Sequence, residues 1–221
     1  IWSMTRMKHK NITNAHFAKL KDVINTCVGS HMNGASIISN MQDASLDNKN
    51  SYYVYPSTVP VNLDVIKLDD ITKYRKHFLL PKINFEPLSG VDAICINSQN
   101  EWFFLEFKNC DIKNNSKERK SIRKKMVESI WYVFFLYSMA GEDIINLFNG
   151  DFTKFARENI NYIIVGSQCK NLLYHANIQA LEKTGQHYTP PGFEQYKGYY
   201  FKDVYMLTEL ELRDFILKFK A

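Results

Sequence analysis

Apolar residues recur at helical spacing near the start of the chain, where Phe17, Leu20, Ile24, Cys27 and Val28 form one stripe. The pattern predicts a helix from about Asn14 to Val28, with Asn14 as cap and Gly29 as stop. From Asn33 to Ser51 the sequence turns polar and predicts a loop, with one short helix over "ASIISNMQ". "YYVYPSTVPVNLDVI" then offers short strands cut by Pro56 and Pro60, which suits a sheet edge. Two apolar runs, Val91 to Ile96 and Trp102 to Lys108, flank the polar stretch Asn97 to Glu101 and predict a β-hairpin.

A long helix is expected from about Lys117 to Ala140, ended by Gly141, with Ile122, Met126, Ile130, Val133, Phe134 and Tyr137 as its apolar stripe. "INYIIVG", Ile160 to Gly166, is apolar throughout, as in strands buried on both faces, and a helix over about Asn171 to Lys183 follows it. "DVYMLT" is a last short strand, and Thr208 with Glu211 forms a capping box for a helix reaching about Phe219. The order α, β-hairpin, α, β, α, β, α implies an α/β fold with a mixed sheet flanked by helices. No period of 20 to 50 residues marks a repeat protein.

Composition changes this picture little. The 221 residues suit one domain, and 45% hydrophobic content is that of a packed core. Cys27, Cys95, Cys110 and Cys169 form no CxxC pair, so free thiols and a cytoplasmic setting are expected. "IWSMTRMKHK" lacks the apolar run of a secretory signal, and the apolar stretch Ile130 to Ala140 is too short to span a bilayer. No membrane association is expected.

The hairpin is where charge changes the reading. Side chains alternate along a strand, so Glu106 and Lys108 share one face while Phe103, Leu105 and Phe107 share the other. Closing the hairpin with Ile96 opposite Trp102 makes paired numbers sum to 198, which puts Asp92 opposite Glu106. Two carboxylates about 5 Å apart repel by about 3 kcal/mol at an effective dielectric near 20, so structure alone disfavours the pair. A divalent cation reverses the sign of that interaction, and oxygen-only ligands favour Mg²⁺ or Mn²⁺ over zinc. A metal held by two acids beside a lysine points to phosphate-ester chemistry.

Asp92, a gap of thirteen residues, then Glu106-Phe107-Lys108 resembles the motif of the PD-(D/E)xK nuclease superfamily, whose fold is restriction-endonuclease-like. The lead-in Gly90-Val91-Asp92-Ala93 and the apolar run before Glu106 also suit it. The resemblance implies a core of α, three antiparallel β, α, β over about residues 14 to 168, within a single domain spanning 1 to 221 and closed by the strand and helix near 203 to 219. It implies Asp92 and Glu106 as metal ligands, the Phe107 carbonyl as a third, and Lys108 as the group that orients or activates the attacking water. It departs from the family in one respect: no glutamate precedes Glu86, and Asp22 is a poor substitute for the acid that many members carry on the first helix.

Lys113, Lys117, Arg119, Lys120, Arg123, Lys124 and Lys125 stand against Glu118 alone, a local excess of +6 in a chain of net +5. Cations at a helix start oppose the macrodipole, and a phosphate backbone offsets that cost, so Lys117, Lys120, Arg123 and Lys124 are candidate nucleic-acid contacts. The Gly185 to Phe201 segment, rich in glycine, proline and aromatics, covers the core edge or stacks bases, the former being favoured. His175 and His187 are read as structural. Phosphate loops, dinucleotide fingerprints, nucleophile elbows and HExxH are absent. The expected function is a Mg²⁺-dependent (endo)nuclease acting on DNA, with a homodimer left open; the alternative is a non-catalytic nucleic-acid-binding or protein-interaction module of the same fold.

Overall fold

The structure, a computed structural model, describes residues 8–10, 14–32, 36–48, 51–55, 61–74, 88–148 and 150–219. In chain order these form β1 (Lys8–Lys10), α1 (Ala15–Val28), β2 (Ile38–Asn40), α2 (Met41–Ala44), β3 (Leu46–Asp47), β4 (Tyr52–Tyr53), β5 (Val61–Ile66) and α3 (Leu68–Thr72). There follow β6 (Ala93–Ile96), β7 (Trp102–Lys108), α4 (Ser116–Met139), α5 (Ile144–Leu147), α6 (Phe152–Asn159), β8 (Ile160–Gly166), α7 (Leu172–Glu182), β9 (Asp203–Thr208) and α8 (Glu209–Lys218). No helix among the described residues is long and apolar enough to cross a membrane.

The main sheet runs β1-β5-β6-β7-β8-β9, with β2 also paired to β5. β5, β6 and β7 are antiparallel neighbours, whereas β8 and β9 join parallel to β7, so the sheet is mixed. Alternation along β7 builds both layers. Trp102 and Phe104 pack with α1, α4, α6 and α7 on one face; Phe103, Leu105 and Phe107 pack with α2 and α8 on the other. β8 is buried at every position, as its unbroken apolar run predicts. Phe104, fully buried against Phe201, is the kind of site where truncation to alanine costs about 3 to 5 kcal/mol.

The helix ends follow their capping residues. Asn14 accepts hydrogen bonds from the His16 and Phe17 amides, Asn115 from Glu118, and the expected Thr208–Glu211 box closes the start of α8. Gly141, at φ +71°, lies just past α4, where a left-handed residue stops a helix without strain.

Three expectations change. "ASIISNMQ" is helical only from Met41, because Ile38–Asn40 pairs with Asp64–Ile66 and sheet pairing overrides local propensity. β5 is no edge strand, since β6 lies on it along with β1 and β2; Pro56 and Pro60 fall outside the described residues. Sequence patterning also missed α6, a charged two-turn helix whose Asp151 cap accepts from Lys154 and which buries Phe152, Phe155 and Ala156.

Candidate active site

The site begins at Gly90. A Cβ there would lie 2.6 Å from the Leu68 carbonyl carbon and 2.7 Å from the Asp69 nitrogen, so only glycine lets the start of α3 pass this close. At the next residue the Val91 carbonyl accepts from the Asp69 amide at 3.1 Å, and the Val91 amide donates to the buried Ser129 hydroxyl of α4 at 2.9 Å. α3 and α4 thus clamp the main chain immediately before Asp92.

The hairpin register is the expected one: Ala93 faces Leu105, Ile94 faces Phe104, Cys95 faces Phe103 and Ile96 faces Trp102. The ladder stops at Ala93, and the Asp92 side chain continues it by other means: its Oδ2 accepts from the Phe107 amide at 2.7 Å. A strand residue directs its N–H and C=O to the same edge, so the Phe107 carbonyl also faces this side. The Lys108 carbonyl accepts from the Ser167 amide beside β8, in keeping with that alternation.

Charges then meet. Glu106 is 0% exposed, and its Oε1 lies 3.0 Å from the Nζ of both Lys108 and Lys125. Lys125 also donates to Asp92 Oδ1 at 2.9 Å, and Lys108 Nζ is 3.0 Å from Glu118 Oε2. The second oxygen, Glu106 Oε2, is buried without a hydrogen-bond partner, as is the hydroxyl of Tyr162. Tyr162 pairs with Phe104 and so shares the Glu106 face of the sheet. An unpartnered buried carboxylate oxygen costs roughly 1 to 3 kcal/mol or more, so this atom is one that a cation or a donor would stabilise.

Burial, together with the neighbouring Asp92 carboxylate, raises the Glu106 pKa from 4.5 to about 7, with Lys125 and Lys108 pulling the other way. Burial works against the ammonium forms of Lys108 and Lys125, but the surrounding carboxylates, Glu106 first and then Asp92, together outweigh it, and both pKa values stand above the ordinary lysine value. Lys108 is therefore held as a cation.

A cleft of ≈ 480 Å³ opens on this cluster. It is lined by Asp92, Glu106 and Lys108, by Asp69 and Asp70 of α3, by Glu118 and Lys125 of α4, and by the β3 segment. Six carboxylates face four lysines there, a formal −2 that invites a cation. Asp92 and Glu106 with one unpartnered oxygen suit a single hard divalent ion. Among the described residues no group of three or more His, Cys, Asp or Glu side chains is arranged around a metal position, and exposed Asp22 is not among the cleft residues.

The structure brings the expected Asp92, Glu106, Phe107 and Lys108 together in one cleft and adds Lys125, which the sequence presents as surface charge, with Glu118 and Asp69. The signal for Lys125 was helical phase: three and seven residues past Ile122 and Glu118, it shares their inward side of α4.

The rest of the basic run divides by the same phase. Arg119 and Arg123 turn toward the Gly185 to Phe201 segment, with guanidinium carbons 5.9 and 5.3 Å from the Phe193 ring centre, and Arg119 donates to the Pro191 carbonyl. Gly192, at φ +81°, holds a backbone conformation that other residues rarely adopt, and a Cβ there would have to push aside the Arg123 Nη2, 2.6 Å away. With Phe193 and Phe201 fully buried, that segment covers the core edge, and Arg123 is placed to hold it. Lys117, Lys120 and Lys124 stay exposed on one outer stripe, which continues to Trp131, 61% exposed; Lys124 Nζ lies 3.7 Å from Glu128.

His175 lies 3.0 Å from Glu211, and His187 stacks on Tyr205 beside Asp203, in line with structural roles. All four cysteines are unbridged. No family model matches the chain, and no curated protein or solved structure compared with it does either.

Proposed function

We propose that the chain is a Mg²⁺-dependent nuclease of restriction-endonuclease-like fold, hydrolysing phosphodiester bonds, with DNA as the substrate to test first. The order α1, β5, β6, β7, α4, β8, with three antiparallel strands and a fourth parallel to β7, supports the fold part of this reading. The observation that supports the activity is the cleft that Asp92, Glu106 and Lys108 line together, with the second Glu106 oxygen lacking a hydrogen-bond partner.

Asp92 and Glu106, with the Phe107 carbonyl on the same edge, would hold the metal. Mg²⁺ there supplies Lewis acidity toward a phosphoryl oxygen and lowers the pKa of a bound water. The chain's own residues do the rest. Lys108, kept cationic by Glu106 and Glu118, places a positive charge where the phosphorane oxygens develop. The Asp92–Phe107 hydrogen bond fixes both strand ends, so the two carboxylates keep their spacing without a ligand. The stripe of Lys117, Lys120 and Lys124 would meet phosphates, and Trp131 would offer a face to an unpaired base.

One observation favours a second reading. Lys125 bridges Asp92 and Glu106 and so neutralises the acid pair without metal, as a non-catalytic nucleic-acid-binding or protein-interaction module of the same fold would need. A cleavage assay on plasmid and single-stranded DNA with Mg²⁺ or Mn²⁺ separates the two. Cleavage by the native chain that Lys108→Ala and Asp92→Ala abolish, with oligonucleotide binding retained, is the expected result. Cleavage unaltered by either substitution would overturn the assignment.

A further inference from the structure

Lys125 is in the wrong place for a surface cation. Its side chain is 13% exposed, and its ammonium lies 2.9 Å from Asp92 Oδ1 and 3.0 Å from Glu106 Oε1, between the two groups assigned to a metal. Lys108 does not duplicate it: its ion pairs are with Glu106 and Glu118. A divalent ion held at about 2.0 to 2.6 Å from the same carboxylate oxygens would face an adjacent ammonium at full repulsion, so the two cations compete for one position. Lysine suits such an exchange, because its charge is a point on a flexible four-carbon stem whose root is fixed on α4. The cleft that Lys125 itself lines gives the ammonium somewhere to go.

We propose that Lys125 is a displaceable internal cation: it holds Asp92 and Glu106 together in the metal-free chain, and a divalent ion entering there releases its ammonium toward a substrate phosphate in the same cleft. This rests on the metal site of the preceding subsection. Metal entry and phosphate binding are then coupled through one side chain, since each carboxylate contact that the metal takes frees a cation for the substrate. Without metal, the same ammonium is tied up and the cleft presents less positive charge to a polyanion.

The test is Mn²⁺ titration calorimetry on metal-free protein, comparing the native chain with Lys125→Met, Lys125→Gln and Lys108→Met. Both Lys125 variants are expected to bind Mn²⁺ about tenfold more tightly, an ordinary size for coupling between two ligands of one site. Lys108→Met removes a charge beside Glu106 but leaves the bridge to Asp92 in place, so its gain is smaller than that of either Lys125 variant. Binding of a short DNA duplex in Ca²⁺ should weaken in the Lys125 variants, because the released cation is missing. Should Lys125→Met fold only with Mn²⁺ present, the metal has replaced the ammonium, as proposed. Equal or weaker Mn²⁺ affinity in both Lys125 variants, with the native chain binding normally, overturns this inference and leaves the nuclease reading standing. Mn²⁺ binding by the variants but not by the native chain supports the internal cation and removes the nuclease reading, whereas no binding by any of them overturns both.

Discussion

The two ends of the β6–β7 hairpin carry similar polar residues in opposite conditions. At the turn, Asn97 Oδ1 accepts from the Gln99 and Glu101 amides at 3.0 and 2.8 Å, and its Nδ2 donates to Glu101 Oε2 at 2.9 Å. Lys202 pairs with Glu101, and the Trp102 indole donates to Asn100. At the open end, two carboxylates crowd together, Glu106 is fully buried, and one of its oxygens has no partner. Polar groups that serve only the fold satisfy one another; those at the open end are arranged at a cost to the fold, which is what a site for a ligand looks like.

The sharpest way to break this contrast is to remove one glutamate from each end. Glu106→Gln is expected to lower metal-dependent cleavage by about 10²-fold or more, on the scale of losing one transition-state electrostatic group. Glu101→Gln should leave cleavage within about twofold, since it lies at the far end of β7 from the cleft. Equal losses from both would show that the open end holds no special chemistry.

The same pair should differ in sign with pH. Glu106 in the fold has its pKa raised to about 7 by burial and by Asp92, against 4.5 unfolded. Between those values the folded state binds more protons than the unfolded one, so stability falls as pH rises through that window and is level above it. The loss is at most about 3 kcal/mol, at 1.36 kcal/mol per pKa unit. Glu101 has its pKa lowered, first by the hydrogen bond from Lys202. Its contribution is present above the ordinary carboxylate pKa and is lost as pH falls through the lowered value. Urea unfolding in chelator at pH 5 and pH 8 spans the Glu106 window: Glu106→Gln should flatten the fall of the native protein, while Glu101→Gln, whose window lies lower, should not.

How much of this could be read in advance differs between the ends as well. The register was legible because the turn length and side-chain parity left one consistent closure, and Asp92, Glu106 and Lys108 followed from counting. Lys125 was not, because it lies in a run of seven cations where composition hides phase; only the inward face shared with Ile122 distinguishes it. Asp69 reaches the cleft on a five-residue helix whose sequence, "LDDIT", is too short to show a period. The local pattern around β2 suits a short helix because the strand it pairs with, β5, lies more than twenty residues away. Local patterns specify local pairing; contacts brought together by the tertiary fold leave no such trace.

Gly90 probes how the open end is held. Gly90→Ala places a methyl 2.6 to 2.8 Å from the backbone of Leu68 and Asp69, and backbone cannot turn aside as a side chain can. The expected loss is about 1 to 3 kcal/mol, with α3 pushed outward. Because Asp69 and Asp70 line the cleft, cleavage should fall beyond what the lost stability explains when assayed well below the melting temperature. A variant as stable and as active as the native chain would show that α3 does not shape the site.

The smallest expected effect belongs to the satisfied end, and it sharpens the comparison for that reason. Asn97→Ala removes the acceptor shared by the Gln99 and Glu101 amides and the donor to Glu101. The Asn97 carbonyl still accepts from Asn14 at 2.7 Å, because that bond uses the main chain and keeps α1 docked on the turn. The amides lose their partner at a half-buried turn where water can replace it, so the cost should be about 1 kcal/mol. Thermal unfolding would read it as a lowered midpoint with an unchanged Mn²⁺ affinity. A changed metal affinity would mean that the turn transmits its geometry along seven residues of β7 to Glu106, and the two ends of the hairpin would no longer be separable.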